Sequence, residues 1–110
     1  MADIIEKIEA AVKENKVMIF MKGNRSFPQC GFSAATVAIF DELGVPYATA
    51  DVLSDPELRD AIKQYSNWPT IPQVYIDGKF VGGCDIIREL HESGELEPLV
   101  KAAVGASAQQ

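Results

Sequence analysis

Apolar and polar residues along the first half of the chain follow the periods of a helix, a strand and a second helix. Residues 4–12 carry apolar side chains at helical spacing and predict an amphipathic helix that Asp3 caps. Residues 17–21 form a short continuous apolar run, which is typical of a strand buried on both faces. A polar loop leads to a second helical segment, residues 31–43, and Gly44 suits the left-handed end of that helix.

The second half begins with another strand, residues 47–52, which is expected to lie parallel to the first because a crossover helix separates them. Asp55-Pro56 then caps and starts a third helix. Residues 73–81 predict a β-hairpin around an Asp-Gly turn. Two short helices, residues 85–92 and 95–104, complete the pattern.

This order of elements predicts an α/β domain. A β-α-β half followed by an α-β-β-α half gives a four-stranded mixed sheet flanked by helices on both faces, which is how a thioredoxin-like fold is built. A chain of 110 residues, 47% of them apolar, can bury one ordinary core. We therefore expect a single domain over residues 1–104 and a flexible C-terminal tail over residues 105–110.

Charge and composition restrict the partners and the compartment. The net charge of −6 argues against nucleic-acid binding, which needs a surplus of Lys and Arg. The sequence contains neither a secretory leader nor a long apolar run, so we expect a cytoplasmic protein that does not enter a membrane. Two cysteines, Cys30 and Cys84, are too few for a disulfide scaffold, and in a reducing compartment both begin as thiols.

Cys30 is the candidate reactive group. At a helix N-terminus its sulfur would lie beside unpaired N–H groups and the positive end of the helix dipole, which favour the thiolate. Lys22, at the end of the preceding strand, could add a positive charge. The alternative is an inert buried thiol, but the polar loop before Cys30 and Gly31 after it favour exposure.

The residue three positions after Cys30 is Ser33, where a dithiol oxidoreductase needs a resolving cysteine. Its hydroxyl can hydrogen-bond a thiolate but cannot form a disulfide, so a redox cycle would need an outside thiol. Within the chain, Cys84 could act as the resolving thiol. Alternatively, its backbone N–H at the start of a helix could matter more than its sulfur. The sequence leaves both roles open.

Four motifs in order and spacing give the chain a specific resemblance. They are Met21-Lys22-Gly23, Cys30-Gly31-Phe32-Ser33, Trp68-Pro69-Thr70-Ile71-Pro72 and Gly82-Gly83-Cys84-Asp85. Together they resemble the monothiol glutaredoxins of the CGFS class over about residues 4–104. The resemblance implies a thioredoxin fold that binds glutathione and a bridging [2Fe–2S] cluster.

A [2Fe–2S] cluster usually takes four thiolates, and one chain offers at most two. The resemblance implies that Cys30 from each of two chains and two glutathione thiols supply the ligands, so the cluster bridges a homodimer. The rival is a dimer in which Cys30 and Cys84 of each chain are the ligands. Assembly without glutathione that Cys84→Ser abolishes would support the rival.

Glutathione has two carboxylates and an ammonium group, so its site needs cations at one end and an anion with free N–H groups at the other. By resemblance, Lys22 and Arg59 would bind the glycyl carboxylate, and the backbone of Ile71, ahead of a cis proline, would pair with the cysteinyl unit. The N–H groups of Cys84 and Asp85 would bind the γ-glutamyl carboxylate, and the Asp85 side chain its ammonium. Alternatively, Arg59 is a solvated helix charge and Asp85 only an N-cap.

Other residues have less certain roles. Phe32 could pack in the core or shield the sulfur and the cluster from water. Trp68 is expected to anchor its loop by packing, while Lys63 and His91 are interpreted as surface residues. The loop before Cys30 is longer than in dithiol glutaredoxins, and residues 24–27 have no assigned role except possible partner choice.

The leading hypothesis is a non-enzymatic iron–sulfur carrier. It would act as a glutathione-bound homodimer, or as a heterodimer with a BolA-type protein, and pass [2Fe–2S] clusters to apo-proteins. The alternative is a glutathione-dependent thiol transferase, in which Cys30 attacks a mixed disulfide and a second glutathione resolves the adduct.

Overall fold

The structure, a computed structural model, describes residues 2–108, which form five helices and four strands. The elements in chain order are α1 (Ala2–Glu14), β1 (Val17–Met21), α2 (Gly31–Leu43), β2 (Ala48–Asp51), α3 (Pro56–Ser66), β3 (Gln73–Ile76), β4 (Lys79–Gly82), α4 (Cys84–Glu92) and α5 (Leu96–Ala108). This order of helices and strands is the predicted one.

The four strands form one mixed sheet in the order β2-β1-β3-β4. β1 and β2 are parallel, with Met18 opposite Ala48, whereas β1 pairs with β3 antiparallel and β3 with β4 antiparallel. The hairpin turn uses Asp77 at φ 53° and Gly78 at φ 79°, the left-handed geometry that an Asp-Gly turn favours. The predicted mixed sheet and hairpin are confirmed.

Alternate residues of the strands face two separate cores, as the two-residue period of a strand requires. On one face, Ile19 and Met21 pack with α2, α4 and α5; on the other, Met18 and Phe20 pack with α1 and α3. Every residue of β1 is buried, which explains its uninterrupted apolar sequence. Helices cover both faces of the sheet, as predicted.

Two helix ends match the sequence signals. Asp55 caps α3 by accepting a hydrogen bond from the Leu58 N–H at 3.2 Å, and Pro56 follows it in the first turn. Gly44 ends α2 in the left-handed conformation at φ 69°. The α2 boundary is important for the site because the other end of this helix carries Cys30.

Three predicted boundaries are wrong. Asp3 lies in the first turn of α1 and not ahead of it, where its carboxylate still suits the positive end of the helix. α4 begins at Cys84 with Gly83 as its N-cap, so Asp85 is not the cap. α5 runs to Ala108 and not to Val104, because Gly105 is accommodated within the helix and the residues after it are compatible with helical structure. The remainder of the predicted tail, residues 109–110, lies outside the described residues, and the flexibility of that tail stays a prediction.

None of the helices described over residues 2–108 has the length and apolar character needed to cross a membrane.

Candidate functional site

Cys30 is the N-cap residue of α2 and has extended backbone angles, φ −149° and ψ 137°. Its side chain is partly exposed. The pKa of the Cys30 thiol is lowered from its ordinary value, and the largest cause is the backbone N–H of Ser33. The N–H of Phe32, the positive charge of Lys22 and the Ser33 hydroxyl lower it further, whereas partial burial of the sulfur raises it. The predicted position of Cys30 at a helix N-terminus is therefore confirmed, and the groups around its sulfur lower the thiol pKa, as predicted.

Ser33 occupies the position of a resolving cysteine and is completely buried. Its Oγ accepts a hydrogen bond from the Lys22 N–H at 3.1 Å, and its hydroxyl also stabilises the Cys30 thiolate. One hydroxyl thus accepts a hydrogen bond from the end of β1 and helps to lower the pKa of the thiol at the start of α2. The serine has a structural role here, besides removing the possibility of a Cys30 disulfide at this position.

Cys30 opens into a cleft of about 470 Å³ between the start of α2, one side of α3, the loop before β3 and the start of α4. All six residues predicted for the site line this cleft. They are Lys22, Cys30, Arg59, Ile71, Cys84 and Asp85. The structure therefore brings Lys22 and Asp85, which are 63 positions apart in the sequence, to the same cleft.

Side chains of both charges line the cleft. Arg59 and Lys63 belong to α3, on one face of the sheet, and Lys22 follows β1. The sequence had suggested Lys63 to be only a surface charge. Over residues 2–108, no ion pair within 4.0 Å uses any of these three cations. Asp85 lies in the first turn of α4, on the other face of the sheet, where the N–H groups of the helix start have no partner within the helix. The cleft can thus receive a ligand that has two anionic groups and an ammonium group near Asp85.

The loop of residues 68–72 forms one wall of the cleft. Its Ile71-Pro72 peptide is cis, as predicted. Trp68 packs on Phe80 at a ring-centroid distance of 5.5 Å, which agrees with its predicted anchoring role. Gly83 lies so close to this loop that a Cβ on it would be 3.1 Å from the Pro72 oxygen. A side chain at position 83 would therefore press on the cleft wall.

Comparison with known proteins identifies the family. Residues 17–81 match the family model described as glutaredoxin. The chain belongs to the glutaredoxin family. A monothiol glutaredoxin, ycf64-like, from Synechocystis sp. is 54% identical over 100 residues, which cover 91% of this chain and 94% of that protein. This relationship places the chain among the monothiol glutaredoxins.

Solved structures give the same fold. Reduced poplar apo GrxS14 superposes with a TM-score of 0.80 at 46% identity, over 90% of this chain and 91% of its own. A buckwheat glutaredoxin–glutathione complex superposes with a TM-score of 0.83 at 28% identity, over 93% of this chain and 91% of its own. The predicted thioredoxin-like fold is confirmed, and family membership supports a glutathione-related function.

In this glutaredoxin Cys84 is buried, with 6% of its surface exposed, although it lines the cleft. Its Sγ lies 3.6 Å from Nη2 of Arg88, one turn further along α4. The sulfur therefore contacts its own helix, whereas the Cys84 backbone belongs to the open N-terminus of α4. This geometry favours the backbone role over the resolving role that the sequence left open.

Phe32, two residues after Cys30, is 59% exposed and lines the cleft. The alternative that this ring packs in the core is therefore wrong. The remaining alternative, in which the ring shields the sulfur and any group bound there from water, stays a prediction.

The long loop between Lys22 and Cys30 is internally ordered by backbone turns. Gly23 has φ +86° and pairs with Pro28 across the loop. The Asn24 Oδ1 accepts hydrogen bonds from the N–H groups of Ser26 at 2.9 Å and Phe27 at 2.8 Å. These bonds close a small hairpin that leaves the Phe27 ring 72% exposed.

Arg25 attaches this hairpin to the body of the protein. Its guanidinium carbon lies 4.1 Å from the ring centroid of Tyr47, and its Nη2 lies 3.3 Å from Oδ1 of Asp41. The Tyr47 hydroxyl donates a hydrogen bond to the same carboxylate oxygen at 2.6 Å. The role of Arg25, which the sequence left unassigned, is therefore to hold the loop against α2, the helix that carries Cys30.

Sequence reasoning missed this Arg25 contact because it joins residues from three separate elements. His91, which the sequence interpretation placed at the surface, has only 28% of its side chain exposed, and its Nε2 lies 3.4 Å from Oε2 of Glu42. Across the part of the chain that the structure describes, no group of three or more His, Cys, Asp or Glu side chains could hold a metal ion.

Proposed function

We propose that this monothiol glutaredoxin binds glutathione in the cleft and, together with a second protein chain, carries a [2Fe–2S] cluster to acceptor proteins. The observation that supports the proposal most strongly is the position of Cys30. It is a partly exposed thiol with a lowered pKa that opens into a cleft lined by three cations and by the free N–H groups at the start of α4.

Glutathione fits the polarity of this cleft. In the proposed complex Lys22 and Arg59 bind its glycyl carboxylate, and the backbone of Ile71 pairs with its cysteinyl unit. The N–H groups of Cys84 and Asp85 bind the γ-glutamyl carboxylate, and the Asp85 carboxylate binds the ammonium group. Lys63 adds a third positive charge at the glycyl end. The glutathione sulfur then lies in the same cleft as the Cys30 sulfur.

The cluster is the cargo, and its proposed ligands are those that the resemblance to the monothiol glutaredoxins implies. A [2Fe–2S] cluster usually takes four thiolates, and Cys84 is buried against Arg88, so each chain offers Cys30. Two chains and two glutathione molecules complete the set. The cluster then bridges a homodimer, with the exposed Phe32 ring beside each Cys30 limiting the access of water.

The partners and the compartment belong to the same proposal. A BolA-type protein replaces the second chain in a heterodimer, and apo iron–sulfur proteins in the cytoplasm receive the cluster. The net charge of −6 argues against nucleic acid as a partner, since a protein that binds the phosphate backbone needs surplus cations.

Anaerobic reconstitution with iron, sulfide and glutathione tests the proposal. Visible absorption and circular dichroism report the cluster, and size exclusion reports the assembly. Wild type and Cys84→Ser are expected to give a coloured dimer only when glutathione is present, and Cys30→Ser is expected to stay colourless. Because Cys84→Ser is the same chemical change at the other cysteine, it is the matched control. A chromophore that needs no glutathione and disappears with Cys84→Ser would instead support the dimer with four cysteine ligands.

A thiol transferase is the second candidate, and the lowered pKa of Cys30 is the observation that favours it. The Cys30 thiolate would attack the glutathione sulfur of a mixed disulfide, form a Cys30–glutathione disulfide and release the client thiolate. A second glutathione thiolate would then release oxidised glutathione and regenerate Cys30. Steady-state reduction with glutathione at rates comparable to those of a dithiol glutaredoxin, together with a colourless monomer after reconstitution, would favour this activity over the carrier.

A further inference from the structure

Gln73 is a completely buried polar side chain directly after the loop that forms the cleft wall. Its Nε2 donates hydrogen bonds to the carbonyl oxygens of Trp68 at 3.1 Å and Thr70 at 3.2 Å. Its Oε1 accepts a hydrogen bond from the Tyr75 hydroxyl at 3.3 Å. Both amide hydrogens and the amide oxygen are therefore used, and the amide is fixed in one orientation.

The loop needs an external donor. Residues 69 and 72 are prolines, which have no backbone N–H, so the loop has few donors of its own for its carbonyl groups. A carbonyl that is turned inward without a donor would be costly. An amide side chain of this length supplies two donors from one residue, which no apolar side chain at position 73 can do.

The contact with Thr70 also sets the direction of the next N–H group. In a planar trans peptide the carbonyl and the N–H point in opposite directions. Since the Thr70 carbonyl points at Gln73, the Ile71 N–H points away from Gln73, and Ile71 lines the cleft. Among residues 2–108, no backbone partner accepts a hydrogen bond from this N–H.

We infer that Gln73 is a positioning residue that holds the Ile71 N–H toward the cleft and so gives the site its preference for peptide thiols. A peptide ligand such as glutathione has a backbone carbonyl to accept this hydrogen bond, whereas a simple thiol has none. The inference rests on the glutathione site proposed above and adds the residue that orients it.

Two disulfides separate this role from simple support of the fold. In each reaction the Cys30 thiolate forms a bond to one sulfur of the disulfide, the S–S bond breaks, and the other half leaves as a thiolate with the electron pair. Oxidised glutathione presents peptide groups to the loop, and bis(2-hydroxyethyl) disulfide presents none. The single-turnover rate constants are measured by mass spectrometry of the Cys30 adduct under identical conditions.

Gln73→Met keeps the length of the side chain and removes its hydrogen bonds. The variant is expected to react about tenfold more slowly with oxidised glutathione, the effect of losing about one oriented hydrogen bond. With bis(2-hydroxyethyl) disulfide the rate constant should stay within about twofold of wild type, because that reaction depends on Cys30 and not on Ile71. Gln64→Met, at an exposed position of α3, is the matched control and should change neither rate constant.

An equal fall in both rate constants, or no change in either, would overturn the inference. If Gln73→Met does not fold, Tyr75→Phe provides the same test, because it removes only the hydroxyl that fixes the Gln73 amide. Its effect should be smaller and again confined to oxidised glutathione. A wild type with no preference between the disulfides would overturn the glutathione site itself, whereas a wild-type preference that Gln73→Met leaves unchanged would overturn only the role of Gln73. Neither reaction involves iron, so the result is independent of cluster carriage.

Discussion

Ser33→Ala removes a buried oxygen that serves two neighbours at once. The Lys22 N–H loses its acceptor at 3.1 Å, and the Cys30 thiolate loses a hydroxyl donor. A partly buried N–H left without an acceptor costs about 1–3 kcal/mol. At about 4 °C per kcal/mol for a domain of this size, the melting temperature should fall by about 4–12 °C.

The same substitution should raise the pKa of Cys30, because the hydroxyl is one of the groups that lower it. The backbone N–H of Ser33, which is the largest cause of the lowered pKa, is retained in alanine. The Cys30 pKa of the variant should therefore lie between that of wild type and that of an ordinary thiol.

Two assays follow these effects independently. Thermal unfolding by circular dichroism gives the melting temperature, and the pH dependence of alkylation by iodoacetamide gives the Cys30 pKa. Ser26→Ala, in the preceding loop, is the matched control because the Ser26 side chain is exposed. A melting temperature for Ser33→Ala equal to that of the control, or a Cys30 pKa below that of wild type, would refute the assigned role of the hydroxyl.

Three further predictions concern Cys30, the loop and Tyr47. A thiol whose pKa is lowered on folding stabilises the protein above the pKa of the unfolded thiol, about 9.0, and this contribution disappears as the pH falls through the folded pKa. In urea unfolding, the free energy of unfolding of wild type should therefore rise relative to that of Cys30→Ser as the pH rises toward 9.0. A difference in stability that is constant with pH would contradict this. Gly44→Ala should lower the free energy of unfolding by about 1 kcal/mol, because its left-handed backbone alone disfavours a side chain. Gly23→Ala should cost clearly more, because its Cβ would also lie 2.5 Å from the Phe27 oxygen. Equal losses of stability in urea unfolding would count against the ordered loop. Tyr47→Phe should cost about 1 kcal/mol through its lost bond to Asp41. Burial is the main cause that raises the pKa of Tyr47 to about 12. The Tyr47 hydroxyl therefore contributes its full stability below pH 10 and loses this contribution toward pH 12. Over this range Tyr47→Phe should lose less stability than wild type.

The sequence was sufficient for the features that depend on local chemistry. The polar loop and the following amphipathic segment predicted Cys30 at the start of α2, and the Asp-Gly pair predicted the hairpin turn. The meeting of Lys22, Arg59 and Asp85 in one site was implied by the family resemblance, and the structure places all three along one cleft.

Features that depend on contacts between distant elements were not predicted. A special role for Gln73 could have been suspected only because it is a polar residue at the start of an otherwise apolar strand. Its hydrogen-bond partners depend on how the preceding loop folds back. Arg25 finds Asp41 and Tyr47 only once the loop before α2 folds against the last turn of α2 and the segment that precedes β2. The end of α5 was misplaced because residues from Gly105 onward were predicted to be an unstructured tail, although a glycine costs a helix only about 1 kcal/mol.

The most direct test of the central claim is the mass of the intact reconstituted complex by native mass spectrometry. The account predicts two chains, one [2Fe–2S] cluster and two glutathione molecules in a single species that Cys30→Ser does not form. Two chains that hold the cluster without glutathione would contradict the proposed ligand set, and a monomer without iron under the same conditions would contradict cluster carriage itself.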